Sequence, residues 1–567
     1  MWDETVDFVI AGSGGGGLCA GMAVRERGHT VVVLEKTDKL GGSTAMSGGV
    51  LWVPNSPLQK RAGVEDSEAA ARTYLDAAVG SDGGPGSTSA RRAAFLDVGP
   101  RIIRFLESKG VKFIRAEGWS DYYDNLPGGS QRGRSLGTPL LDSGDLGQWW
   151  PQLRPGPFPV PLTVAETRSI GEGTRTLRGR VMLLRLAWRM LWMKTTKRRL
   201  LGLGASLQGH MLLAAERLGV RLETGAAVAS LIRDGERIVG VEVLQNGRKR
   251  RIRAMAGVLL ASGGFARNED LRLQYGPQPS STKWTNANPG ETGELILAAR
   301  DVGADLAMMD EAWWIPSSLP PSGAVSMHSS DLAKPHCILV DIHGERFTNE
   351  AGSYVENGHR MYERAVPAWA ILDSRHRSRY NWGFQPPMMT PDAWLASGYF
   401  KKADTLHELA MLCGVDPEGL MRTVERFNGF VDAGIDADFG RGGRSYDRSA
   451  GDPTVRPNPN LGTISQGPFY ACALYPGDVG TQGGIVTDEH ARALTADGDV
   501  IGGLYATGNC TASVMGRVYP GAGASIAASF VFGFIAANHA LDAMAEAGHH
   551  AGPQSAASDP VSLTKST

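Results

Sequence analysis

The sequence has no run of 18 or more consecutive apolar residues, so none of it reads as a membrane span. Its formal net charge is -1, which excludes a global electrostatic attraction to nucleic acid. Cysteine is scarce. Cys19, Cys337, Cys413, Cys472 and Cys510 are odd in number, far apart and without metal-ligand spacing. That excludes a disulfide scaffold, points to free thiols in a reducing compartment, and leads us to expect no metal site. No apolar leader precedes the strand-like TVDFVIAG, which starts at Thr5, so the expected location is cytoplasmic.

Glycine is abundant: 74 of 567 residues, many clustered in short loops where backbone can approach a large ligand closely. The length implies at least two domains. Three of the glycine clusters read as parts of a dinucleotide site. In VDFVIAGSGGGGLCAGMAVRERGHTVVVLEK, Val6 to Ala11 reads as a buried strand and Gly12 to Gly17 as a tight turn. Leu18 to Arg27 reads as a helix, and Thr30 to Leu34 as a second strand ending at Glu35 and Lys36. Gly12-x-Gly14-x-x-Gly17, with Ser13 and Gly15 inside it and an acid further on, is the dinucleotide fingerprint in its strand–turn–helix setting. The helix start favours a pyrophosphate, and Glu35 can accept ribose hydroxyls.

The second cluster, LGGSTAMSGG, offers Gly42, Ser43, Thr44, Ser47, Gly48 and Gly49 to a flat polar ring or a phosphate. NAD does not require such a loop, so it suggests FAD. The third is IGGLYATGNC followed by VYPGAGASI, with Gly508 and Asn509 at a strand end and Ala524, Ser525 and Ile526 at a helix start. GVLLASGGF adds another strand ending at Ser262 and Gly263. Cofactor-type turns at both ends of the chain imply one nucleotide domain built from N- and C-terminal parts, with the middle inserted.

These motifs resemble the flavoprotein family of fumarate reductase and succinate dehydrogenase. More narrowly, GWSDYYDNLPGG (Gly118 to Gly129), NEAGSYVENGHRMY (Asn349 to Tyr362) and VYPGAGASI (Val518 to Ile526) resemble the 3-ketosteroid Δ1-dehydrogenases. The match runs from about Asp7 to about Leu541. The resemblance implies FAD, with Ala227 and Val228 among the residues around it, and a 3-ketosteroid substrate such as androst-4-ene-3,17-dione. It implies removal of hydrogens from C1 and C2, the hydride passing to flavin N5, and a quinone or other electron acceptor. Carried over by motif, Tyr354 is the base for the C2 proton and Tyr122 its helper, with Tyr123 as the alternative helper. Tyr519 and the Gly523 N–H polarise the C3 carbonyl. Trp119 and Pro520 join these residues in the substrate pocket. The loop GGST has no histidine, unlike succinate dehydrogenase relatives that attach FAD covalently, so non-covalent FAD is expected.

The residue types suit the reaction. A proton beside a ketone becomes acidic only when the developing enolate oxygen is stabilised, which Tyr519 and the amides after Pro520 offer. A free tyrosine has a pKa of about 10, so Tyr354 needs surroundings that favour phenolate. The Pro/Ser-rich stretch Ser317 to His336 is a candidate for part of the substrate mouth.

RGRVMLLRLAWRMLWMKTTKRRLLGLG, Arg178 to Gly204, carries eight basic residues and no acid. Arg178, Arg185 and Arg189 recur on one helical face, with Val181, Leu184, Trp188, Leu191 and Trp192 elsewhere. That composition suits a helix lying on an anionic bilayer; a core helix with a basic edge is the competing reading. The expected architecture is an α/β FAD domain, residues 1–308 and 480–545, with an α+β catalytic insertion, 309–479, and a disordered tail, 546–567. Rival functions are a ketosteroid dehydrogenase acting at C4–C5, a fumarate- or acrylate-type reductase, and a flavoprotein subunit docked on a membrane electron-transfer complex.

Overall fold

The computed structural model describes residues 1–80, 83–156 and 160–550. The strand Glu4–Ala11 is apolar on both faces from Phe8 onward and pairs in parallel on both sides, as a strand covered on both faces does. Val31–Leu34 pairs with it on one side and the C-terminal half of Arg248–Leu260 on the other. That second strand in turn pairs in parallel with Val500–Ala506, matching Val258 to Leu504. The eight-stranded sheet therefore joins segments from both ends of the chain. The strands Ala226–Asp234 and Arg237–Gln245 extend it as an antiparallel meander. A second sheet, six-stranded and antiparallel, is built around Phe469–Thr481 and takes its other strands from the middle of the chain. This is the expected class: an FAD-type α/β unit assembled from N- and C-terminal parts, with an inserted α+β unit.

The helix Gly15–Glu26 starts earlier than the sequence suggested, because the glycines after Gly14 already take helical geometry. It crosses the C-terminal helix Ala524–His550 at very close range. An added Cβ on Gly533 would lie 2.4 Å from the Gly16 carbonyl oxygen, and one on Gly16 2.4 Å from Ser529 Oγ. The C-terminal helix is long and apolar enough to cross a membrane, yet Phe530, Val531, Ala537 and Leu541 are buried in the core it shares with the first helix. It runs on to His550, past the expected start of the tail; residues 551–567 lie outside the described residues.

A buried ionic knot ties the loop after the fingerprint to the segment carrying Tyr122. Arg134 bridges Asp66 and Asp121, each at 2.8 Å, and Asp121 also accepts from Trp52 Nε1 at 2.8 Å. Burial pushes the Asp121 carboxyl up to about 6 against the pull of Arg134. Removing one member leaves the others buried and uncompensated. We expect Arg134→Met to lower stability by about 3–5 kcal/mol, read as a drop in the denaturant midpoint. An unchanged midpoint would contradict this account of the knot.

Candidate active site

A single cavity of about 1640 Å³ runs through the molecule, larger than the ~300–1,000 Å³ usual for one ligand. Its wall carries both the fingerprint and the tyrosines, so it has room for a dinucleotide and a second molecule. At one end lie Gly12, Ser13, Gly14, Gly15, Glu35 and Lys36. The Gly15–Glu26 helix begins there with no side chain at its cap position bonded and no acid in its first turn, so the first-turn donors beyond Gly15 can serve a pyrophosphate. Glu35 is aimed by Ser13 Oγ at 2.7 Å and Thr37 Oγ1 at 2.8 Å, while Lys36 is drawn to Glu294 at 2.9 Å. Gly42, Ser43, Thr44, Ser47 and Gly48 form the next stretch of wall, and Thr44 Oγ1 accepts from the Gly15 N–H at 3.1 Å. Ala227, Val228, Ser262, Gly263, Gly508, Asn509, Ser525 and Ile526 also face the cavity. Gly17, Gly49, Ala524 and Pro520 do not; they stand behind the wall. Gly17, for example, packs against the Gly12 carbonyl, which an added Cβ would meet at 2.1 Å.

Glu291 was not legible in the sequence. It is buried on the cavity wall, hydrogen-bonded to Ser43, and burial pushes its carboxyl up to about 7. Its Oε2 makes no hydrogen bond of good geometry, and Glu291 lines the cavity beside Asn509. Only the glycines flanking it, Gly290 and Gly293, marked that turn in the sequence.

The tyrosines meet at the other end, each delivered by a different element. Tyr354 is the first residue of the helix Tyr354–Arg364. Tyr122 follows the knotted Asp121, and its N–H donates to the Pro520 carbonyl at 3.0 Å, which also accepts from Tyr74 OH at 2.5 Å. Pro520 thus positions Tyr122 through its backbone. The Tyr122 and Tyr354 hydroxyls are 3.2 Å apart. Tyr123 turns away, toward Ser353 and the Arg444 guanidinium, 5.6 Å from its ring.

Tyr519 packs against both, with ring centroids 5.4 Å from Tyr122 and 5.7 Å from Tyr354. Its hydroxyl accepts from the Gly523 N–H at 3.1 Å. Gly523 has φ +92, which presents that amide, and an added Cβ would strike the Val50 carbonyl at 2.2 Å. The Tyr519 hydroxyl and the Gly523 amide thus stand side by side, at present bonded to each other. Trp119 lies on the wall nearby.

Two further residues complete this end. Tyr446 stacks on Tyr122 at 4.2 Å, and Arg168 lies over the Trp119 ring at 5.1 Å, beside Tyr446 and Tyr122. Burial pushes the Arg168 guanidinium down to about 10, and among the described residues no carboxylate pairs with it. No spacing in the sequence links either residue to the tyrosines. Burial also raises Tyr354 well above the ordinary phenol value; Tyr519 and Tyr446 push it the same way, while the Tyr122 hydrogen bond pulls it down.

A family model described as an FAD binding domain matches residues 7–526. A 3-oxosteroid 1-dehydrogenase of Mycobacterium tuberculosis is 40% identical over 563 residues, 96% of this chain and 99% of that protein. The chain belongs to this family. A 4-oxocyclohexanecarboxylate 2-dehydrogenase of Sinomonas cyclohexanicum is 35% identical, over 94% of this chain and 92% of its own. Among solved structures, the 3-ketosteroid Δ1-dehydrogenase of Sterolibacterium denitrificans, in complex with 1,4-androstadiene-3,17-dione, superposes with a TM-score of 0.90 at 35% identity. It covers 95% of this chain and 100% of that one. The protein is an FAD-dependent oxidoreductase.

With no histidine in the GGST loop, FAD should be held without a covalent bond. Acid or heat denaturation of the purified enzyme should release all flavin absorbance into the supernatant. Flavin remaining on the precipitated polypeptide would show a covalent link.

Proposed function

We propose that the chain desaturates the C1–C2 bond of 3-ketosteroids, with Tyr354 as base, Tyr122 as its support, and Tyr519 with the Gly523 N–H as the oxyanion pair. The observation that carries this reading is the meeting of a 3.2 Å phenol pair with a phenol–amide pair, all in one cavity. The names of the relatives agree with it, since both describe dehydrogenation of a cyclic ketone. The two donors stabilise the enolate oxygen as the C2 proton leaves, without introducing a formal charge. Tyr354 takes that proton, and Tyr122 donates to the phenolate that makes this possible. Arg168 stands beside Tyr122 and Tyr446 and so acts on the base only through Tyr122. The fingerprint residues and the loop at residues 43–48 would hold FAD, which when bound would supply the acceptor for the C1 hydride. A reductase reading wants arginine and histidine around a carboxylate, whereas this end of the cavity is built from phenols.

Anaerobic mixing with androst-4-ene-3,17-dione should bleach the flavin band and yield the 1,4-diene. No bleaching, or a product altered elsewhere on the ring, would overturn the reading. Tyr354→Phe should lower kcat by several orders of magnitude with FAD retained, and Tyr519→Phe by roughly 10²–10³. The raised pKa of Tyr354 also fixes a sign. Phenolate is the minor form at neutral pH, so kcat/KM for flavin reduction should climb with pH through the alkaline range. A flat profile between pH 7 and 9 would argue against a tyrosine base.

We also propose that the mouth of this cavity rests on an anionic bilayer. The helix Leu177–Thr196 leaves Leu177, Leu184, Trp188 and Leu191 exposed, 78%, 72%, 68% and 53%, which a core helix would not. Leu183 and Leu186 line the cavity, as does the loop bearing exposed Phe384 and Met388. The basic face differs from the sequence expectation: Arg189 is drawn inward to Glu166 at 2.8 Å and Arg185 leans the same way. Arg178, Lys194, Lys197 and Arg198 remain exposed. A quinone in the same bilayer would suit as electron acceptor. The protein should sediment with anionic vesicles at low salt, and Leu184→Ser with Trp188→Ser should abolish this. Wild-type protein left wholly in the supernatant would end the proposal.

A further inference from the structure

The short helix Ser445–Ala450 spans the cavity wall like a ruler. At its start Tyr446 stacks on Tyr122; just past its end the Gly451 carbonyl accepts from Lys334 Nζ at 2.8 Å. Five residues of helix advance about 7–8 Å. The backbone positions that hold Lys334 and back the tyrosines are therefore separated along the wall by a length that four fused rings with ~1.5 Å C–C bonds can bridge.

Lys334 lines the cavity, and the Gly451 carbonyl is the one acceptor its ammonium has among the described residues; no carboxylate oxygen lies within 4.0 Å. The acids around it are already engaged. Asp452 takes Tyr380 OH at 2.8 Å, Thr454 Oγ1 at 2.7 Å and Arg175 Nε at 3.1 Å. Asp331 takes His328 Nδ1 at 2.6 Å and the Gly383 N–H at 2.9 Å, and Glu172 takes Thr176 Oγ1. Arg379 and Arg448 open onto the same end of the cavity. Burial, with Arg175 beside it, pushes the Lys334 ammonium down to about 8. The half-buried ammonium touches no carboxylate and has donors to spare, which an incoming anion would take.

We infer that this end of the cavity is an anion subsite, in which Lys334 receives a carboxylate carried by the ketone substrate at the end remote from the reacting ring. The inference rests on the desaturation reading above and specifies its substrate class: ketosteroids with an acidic group on or near C17. Neutral steroids would fill the same space without that contact.

The test compares 3-oxoandrost-4-ene-17β-carboxylic acid with its methyl ester, both as substrates of the FAD-loaded enzyme. The wild type should favour the acid in kcat/KM by about tenfold or more, the scale of one charge-assisted hydrogen bond. Lys334→Met should bring the acid/ester ratio to about one, and Lys334→Arg should keep the acid ahead. Equal kcat/KM for acid and ester in the wild type would overturn the subsite while leaving the desaturation reading intact. So would an acid/ester ratio unchanged in Lys334→Met. Failure to desaturate acid, ester and androst-4-ene-3,17-dione alike would remove the reading itself, and the subsite with it.

Discussion

The first and last helices of the α/β unit touch backbone to backbone where Gly16 meets Gly533, and the reacting end of the cavity depends on that contact. The last helix begins at Ala524, immediately after the turn that carries Tyr519 and Gly523. Seating the helix therefore fixes the Tyr519 hydroxyl and the Gly523 N–H at the tyrosine end of the cavity. The same turn reaches the other partner of the site, since the Pro520 carbonyl accepts from the Tyr122 N–H. A larger residue at the crossing would move the whole constellation, even though neither glycine faces the cavity's tyrosine end.

A tension runs through the site. Burial strengthens the hydrogen bonds that the Tyr519 hydroxyl and the Gly523 N–H can make, yet the same burial raises Tyr354 and makes its phenolate scarce. Around Tyr354 the structure sets neutral hydroxyls and, beside Tyr122, the Arg168 guanidinium, which among the described residues has a backbone carbonyl but no carboxylate as partner. Tyr122 lies at hydrogen-bond distance from Tyr354, Tyr446 stacks behind Tyr122, and Arg168 stands beside both. A carboxylate base would be ionised more readily, but it would repel the developing enolate across the same small space.

How much of this was legible depended on whether a feature was local. The fingerprint turn and Glu35 lie within one strand–turn–helix–strand unit, so spacing alone located them. The three tyrosine segments were recognisable by resemblance, but which of Tyr122 and Tyr123 faces Tyr354 was set by the Asp121 anchor and the Pro520 carbonyl, both non-local. Tyr446, Arg168 and Glu291 join the site only through tertiary packing, and nothing in their own segments announced it. The Leu177–Thr196 helix shows the limit of periodicity: the pattern gave the helix, but an apolar face looks the same whether it is buried or exposed. The Arg189–Glu166 pair, which turns part of the basic face inward, depends on a neighbouring helix that the local pattern does not contain.

If Tyr354 takes the C2 proton while Tyr519 and the Gly523 N–H hold the ketone oxygen, as proposed, the enzyme should enolise a ketone even when the flavin can accept no hydride. The most direct measurement uses enzyme with its flavin already reduced, incubated in D₂O with androst-4-ene-3,17-dione, following deuterium entry at C2 by mass spectrometry. The account predicts exchange at C2 with the wild type, above the enzyme-free rate, and its loss in Tyr354→Phe with FAD retained. Exchange at the wild-type rate in Tyr354→Phe would contradict it.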